Sequence, residues 1–294
     1  RVIGLTITDE DPERGSCFLS ADPEHEHHEL NLGQARGPDH PDGARPKTQG
    51  LGQMSFIVPD MEDLRALYGR FQTEGTRILL VTGDDYPGHP WRQTAPALKA
   101  ILEKDSRLKV RIVEDPNALA SPKLKNWDAV ILHFMDWEKP GPGPAARENL
   151  KRFVESGKGM MLTHFACGAW DGNEWPEFKR LAGRVWDPKL RGHDPHGKFT
   201  VQIADPQHPI TKGMKPFETI DELYTCLTGD APIQVVAKAT SKVDKKDYPM
   251  AFVLEYGKGR VFHTVLGHDA LAYTNSPGVG ELMRPVSIGD VYGN

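Results

Sequence analysis

The chain has 294 residues, a net charge of −5 and 38% apolar residues, which is room for one large domain plus a smaller module, with a core. A pI near 6.2 and the lack of any sustained Lys/Arg run remove the electrostatic case for nucleic acid or an anionic membrane as partner. Its three cysteines, Cys17, Cys167 and Cys226, lie far apart without CxxC spacing, so a disulfide framework and a thiolate zinc site are set aside and buried thiols are expected.

A soluble globular protein is expected, since no apolar stretch reaches the length of a membrane span and no signal-peptide pattern opens the chain. The first residue is Arg1, already inside the strand-like Val2-Ile3-Gly4-Leu5-Thr6-Ile7. A truncated start is therefore expected, and the compartment, cytoplasmic or exported, stays open.

In chain order the pattern predicts strands at Val2 to Ile7, Ser16 to Ser20 and His27 to Leu32, then a polar loop from Gly33 to Gly50. A strand from Gln53 to Val58 and a helix from Met61 to Gln72 follow. After Gly75 the pattern changes to alternating strands and helices. Strands are expected at Arg77 to Thr82, Lys109 to Val113, Ala129 to Phe134 and Gly159 to His164. Helices are expected at Pro90 to Lys104, Ala145 to Ser156 and Trp175 to Gly183. Four later strands run Lys198 to Ile203, Ile233 to Lys238, Met250 to Glu255 and Arg260 to Val265, the last two joined by a turn at Tyr256-Gly257-Lys258-Gly259. Apolar runs such as Ile78-Leu79-Leu80-Val81 fit central strands covered on both faces. The fold class is α/β, a doubly wound, mostly parallel sheet over residues 76–294, with a partial α+β segment over residues 1–75.

Ligands of open α/β sheets gather outside the carboxyl ends of the strands, so the residues just after each apolar run carry the chemistry. Gly159-Met160-Met161-Leu162-Thr163-His164 ends in a strand-to-helix elbow, where a nucleophilic Ser or Cys normally stands. Imidazole is a poor covalent nucleophile but a good base or ligand, so acyl transfer is not expected. Cys167 comes three residues too late to replace it. His164, Asp221, Glu222 and His268 are the candidate catalytic residues. His89, Trp91, His133, Trp137, Tyr224 and Asp269 are the candidate substrate-binding residues, with Trp91 and Trp137 as walls for a sugar ring. A divalent metal is the alternative use of this chemistry, with His164, His193 and His268 as candidate ligands. His263 reads equally as a core histidine or a site residue.

Taken together, Arg77-Ile78-Leu79-Leu80-Val81-Thr82-Gly83, Trp127-Asp128-Ala129-Val130, the Gly157 to His164 elbow, Trp175-Pro176-Glu177-Phe178, Asp205-Pro206-Gln207-His208-Pro209, Asp221-Glu222-Leu223-Tyr224 and Gly259 to His268 resemble the trehalose-utilisation (ThuA-like) family. That family is a branch of the class I glutamine-amidotransferase-like superfamily. The resemblance implies a flavodoxin-like sheet, His164 in place of the amidotransferase Cys, no glutaminase activity, and a role in metabolism of trehalose-type disaccharides or keto-glycosides. Residues 1–75 resemble part of a vicinal-oxygen-chelate module of the glyoxalase and extradiol dioxygenase type, carried by His27-His28-Glu29-Leu30-Asn31-Leu32 and Leu51 to Asp60. There the resemblance implies His28 and Gln53 as metal-facing residues, while the strands that should supply an acidic ligand are missing. Three functions are therefore carried forward: a sugar-processing enzyme, a non-catalytic carbohydrate-binding protein, and a metal-dependent activity of the first segment. The expected partner is a small carbohydrate, and no cofactor other than a divalent metal is implied.

Overall fold

The computed structural model describes residues 6–11, 16–20, 30–33, 76–83, 88–136 and 139–283. The chain divides into two units, Arg1–Gln72 and Thr73–Asn294. In the first, β1 (Thr6–Asp11), β2 (Ser16–Ser20) and β3 (Leu30–Gly33) form an antiparallel three-stranded sheet in that order. The expected strand at Gln53 to Val58 and helix at Met61 to Gln72 lie outside the described residues.

The second unit begins with β4 (Thr76–Val81), α1 (Trp91–Leu102), β5 (Leu108–Val113), β6 (Ala129–Leu132), α2 (Pro144–Glu155) and β7 (Gly159–Thr163). Then come α3 (Pro176–Ala182), β8 (Val185–Trp186), β9 (Gly197–Ile203), β10 (Phe217–Asp221), β11 (Leu227–Thr228) and β12 (Gln234–Thr240). A hairpin of β13 (Asp247–Tyr256) and β14 (Gly259–Thr264), followed by α4 (Ala270–Asn275) and α5 (Pro277–Leu282), completes it. Among the described residues no helix is long and apolar enough to cross a membrane.

Nine strands form one sheet in the order β10-β9-β12-β13-β14-β7-β6-β4-β5. The run from β14 to β5 is parallel, the flavodoxin-like core expected from the alternating pattern, and the strands from β10 to β14 extend it antiparallel. Central strands are apolar throughout because both faces are covered. Ile78 and Leu80 of β4 and Ile131 of β6 enter one core with α1, while Leu79, Val81, Val130 and Leu132 enter the other with α2 and α3. On α1, Trp91, Thr94, Ala95, Leu98 and Leu102 make the buried stripe at helical spacing.

Three differences from the expected elements have physical causes. Strand β10, Phe-Glu-Thr-Ile-Asp, is an edge strand that alternates buried and exposed positions, so it lacks the apolar run that marks a central strand. The last helix starts at Pro277, a favoured first position for a helix, and ends at Leu282. A further helix, α4, is capped by the Asp269 carboxylate, which accepts from the Ala272 amide at 2.9 Å.

His263 resolves toward the core reading. It is fully buried in β14, its Nδ1 lies 3.0 Å from the Ala182 carbonyl oxygen, and its ring packs against Phe252. Burial pushes it down to about 4 and His133 down to about 3, against an ordinary value of 6.5. Folded, both stay neutral as pH falls below 6.5, while the unfolded chain takes up the protons. Stability is therefore fully present above pH 6.5 and is lost as pH falls toward 4, at about 1.4 kcal/mol per unit for each such group. In urea titrations between pH 7 and pH 4.5, the pH slope of stability should be shallower in His263→Gln than in the parent chain. An unchanged slope would contradict this account.

Candidate functional site

The site lies at the carboxyl ends of parallel strands β7 and β14, where the doubly wound topology leaves backbone groups and loop residues uncovered by helices. His164 follows β7 directly. It is fully buried and has φ +43°, a left-handed conformation that ordinary side chains avoid and that is held only where the surroundings over-determine it. The elbow read in the sequence is therefore a strained elbow. His164 Nδ1 lies 2.7 Å from the Val265 carbonyl oxygen, so Nδ1 carries the proton and donates it there. The remaining lone pair, on Nε2, points at the other site residues.

His268, just beyond β14, brings Nδ1 to 3.2 Å from His164 Nε2 and to 3.2 Å from Glu222 Oε2. Glu222 Oε2 is 3.5 Å from His164 Nε2. The three ligand-type atoms thus form a nearly equilateral triangle. Four arms of 2.0–2.1 Å around a tetrahedral ion put neighbouring donor atoms about 3.4 Å apart, so this triangle has the size of one face of a divalent-cation site. His89 joins it: the ligand-type atoms of His89, His164, Glu222 and His268 all lie within 4.8 Å of one another.

Asp221 holds this arrangement in place without facing solvent. Its carboxylate accepts from the backbone N–H of Glu222 at 2.8 Å, Gly267 at 2.8 Å and His268 at 3.2 Å. The end of β10 is thereby fastened to the loop after β14, which sets Glu222 opposite His268. Burial raises the Asp221 carboxyl above its ordinary range, against the charge of His164 and the three backbone donors. The sequence placed Asp221 among the catalytic residues; the structure places it fully buried beside them, with its carboxylate on three backbone donors.

Electrostatics suit a cation. Burial would lift the Glu222 carboxyl, but the imidazoles of His164 and His268 beside it outweigh that and hold the group well below the carboxylate range. Burial would also depress His268, yet Glu222 raises it overall. His89 is pushed down to about 2, first by burial and then by the neighbouring imidazoles. A buried carboxylate beside imidazoles is the donor set of many divalent-metal centres.

Tyr224 closes the site from below. Its hydroxyl is 2.9 Å from His164 Nε2 and 3.5 Å from His89 Nε2, and burial pushes the phenol well above its ordinary value. His193 lies at the rim, Nδ1 at 2.7 Å from the Asp194 carbonyl oxygen and Nε2 at 3.4 Å from Glu222 Oε1. It stands behind the second oxygen of Glu222 rather than in the triangle, so the sequence's third candidate ligand orients the carboxylate. Its loop is pinned by Asp194, which accepts from Arg191 at 2.6 Å, Ser241 at 2.8 Å and the Lys242 amide at 2.7 Å. Farther out, Asp269 lies 4.0 Å from His196 Nε2.

The remaining predicted residues divide. His133 is fully buried, with Thr82 and Thr94 hydroxyls at 3.1 and 3.0 Å from its two nitrogens and its ring edge against Phe165. It builds the floor on which Phe165 and His89 stack. Trp91, expected as a sugar wall, is 2% exposed and packs with Met135 and Phe165. Trp137, His28 and Gln53 lie outside the described residues. What the sequence missed is the grouping of His89 with the other ligands, since nothing in the spacing says that the loop after β4 reaches the same point as those after β7 and β14.

Fold and site together define an α/β protein whose sheet is compatible with the glutamine-amidotransferase-like fold, with a histidine at the elbow and a His/carboxylate cluster beside it. The chain belongs to the ThuA family, described as trehalose utilisation, whose model matches residues 77–284. The match leaves the first 76 residues outside it. Among solved structures, a ThuA-like protein from Parabacteroides merdae superposes with TM-score 0.61 at 24% identity, covering 71% of this chain and 87% of that one. Another ThuA-like protein, from Bacteroides uniformis, gives TM-score 0.57 at 20% identity over 71% of this chain and 88% of that one. These likenesses establish the fold. No curated protein matches the chain.

Proposed function

We propose that this protein is an enzyme of carbohydrate metabolism whose centre is a divalent-cation site made by His89, His164, Glu222 and His268. The observation that carries the reading is the triangle of His164 Nε2, His268 Nδ1 and Glu222 Oε2, with edges of 3.2, 3.2 and 3.5 Å. The family's description as trehalose utilisation supports a sugar as the ligand.

Each residue has a definite part. The Val265 carbonyl fixes the tautomer of His164, which keeps Nε2 available as a ligand, and the Asp221 clamp holds Glu222 and His268 at ligating separation. A bound cation supplies Lewis acidity to a hydroxyl or carbonyl oxygen of the sugar. His193, partly exposed and with Nε2 3.4 Å from the unused oxygen of Glu222, is the group placed to move a proton between the site and solvent. Strain at His164 and the buried floor of Phe165 and His133 keep the elbow rigid.

The test is turnover of trehalose, related disaccharides and their 3-keto forms by metal-stripped protein, before and after adding zinc, manganese or magnesium. Product formation that requires a metal and is lost in Glu222→Gln is the expected result. Sugar binding without turnover in every metal would make the chain a carbohydrate-binding protein. Neither binding nor turnover of any sugar would overturn the carbohydrate reading.

A further inference from the structure

One lone pair lies at the centre of the site, and more groups claim it than it can serve. With its proton held by the Val265 carbonyl, His164 can accept only at Nε2. The Tyr224 hydroxyl lies 2.9 Å from that atom, closer than His268 Nδ1 at 3.2 Å, whose proton has the Glu222 carboxylate at equal distance as the stronger acceptor. Tyr224 is therefore the donor that satisfies His164 Nε2 in the arrangement described.

A cation ligated by Nε2 occupies the same lone pair. The Tyr224 O–H must then turn elsewhere, and the side chain is 3% exposed, so water is not at hand. A buried hydroxyl donor left without an acceptor costs about 1–3 kcal/mol, which drives it toward the nearest oxygen that arrives with the cation. The ring leaves it little freedom, since it lies 4.6 Å from the His164 ring and has the Trp186 ring edge-on at 5.4 Å. Only rotation of the O–H bond is needed.

We propose that Tyr224 is a metal-linked hydrogen-bond donor: it caps His164 Nε2 when the cation is absent and, with the cation in place, donates to the oxygen of the ligand held at the open coordination position. The inference rests on the cation reading above. It defines the ligand as one that presents an oxygen acceptor to both the cation and a phenol, such as the carbonyl or alkoxide oxygen of a hydroxy-ketone or diol. Sugars and keto-sugars belong to that class, and soft sulfur or purely nitrogenous ligands do not.

The experiment compares full-length protein with Tyr224→Phe. Zinc binding to each metal-stripped protein is measured by titration calorimetry, and then the affinity of each zinc-loaded protein for acetohydroxamate, a bidentate oxygen ligand. The expected result is zinc affinity in the variant equal to or several-fold above the parent, because a competitor for Nε2 is gone, together with a loss of about tenfold in acetohydroxamate affinity. Unchanged affinity for acetohydroxamate would overturn the proposal. A large fall in zinc affinity would overturn it too, by making the phenol oxygen a ligand. If the parent protein binds no zinc, the cation reading itself fails. Should the variant not fold, the near-ultraviolet difference spectrum of the parent decides: added zinc should shift a tyrosine band as the phenol leaves its imidazole acceptor, and no tyrosine shift would overturn the proposal.

Discussion

His164→Ala should lower zinc affinity by well over a hundredfold, abolish any metal-dependent turnover, and lower the melting temperature of the metal-free protein by several degrees. Losing a group that only orients a ligand already costs about 10–100-fold in metal affinity, and here the ligand atom itself is removed. The Nε2 lone pair is the corner shared by two of the three triangle edges, so its loss leaves His268 and Glu222 without a third partner on that side. Stability falls as well, because alanine keeps the left-handed φ of 43° but leaves a cavity at a fully buried position and removes the acceptor of the Tyr224 hydroxyl. Zinc titration with a competing chelator, run beside thermal melts, separates the two effects. A variant that keeps the parent's zinc affinity would remove His164 from the site.

Gly267→Ala should be the most damaging change outside the ligands, costing about 2–4 kcal/mol of stability and weakening zinc binding at least tenfold. Gly267 has φ +114°, a conformation open to glycine and closed to alanine, and a methyl group there would overlap the hydroxyl of the buried Tyr273. Its amide also donates to Asp221 at 2.8 Å, one of the bonds that fasten the loop carrying His268. Strain is therefore relieved only by moving the backbone next to a ligand. Denaturant unfolding and zinc titration of the same variant check both parts. A stable Gly267→Ala protein with the parent's zinc affinity would show that the loop geometry does not govern His268.

What could be read from residues alone follows from where apolar runs end. Ile78 to Val81, Val130 to Leu132 and Met160 to Leu162 announced buried parallel strands, and the polar residues after such runs included His164 and His268. The elbow was legible because small residues, Ala166 and Gly168, follow a buried run that stops abruptly at a histidine. Pairing was not. That β14 lies beside β7, so that His268 meets His164, depends on a strand order with no local signal. Edge strand β10 hid itself by putting polar Thr219 and Asp221 at its buried positions and Ile220 at an exposed one, and with it the buried role of Asp221. Trp91 shows a second limit, since an indole at the start of a helix reads equally as a sugar platform or as core, and only Met135 and Phe165 packed against it decide. His193 was placed in the right neighbourhood as a candidate ligand, but one carboxylate oxygen separates a ligand from the residue beside it.

The most direct measurement is diffraction from a crystal soaked in zinc, collected on either side of the zinc absorption edge. The account predicts a single strong anomalous peak about 2.0–2.2 Å from His164 Nε2, His268 Nδ1 and a Glu222 oxygen, with His89 turned toward it. Zinc found only on surface histidines, with no peak inside that triangle, would contradict it.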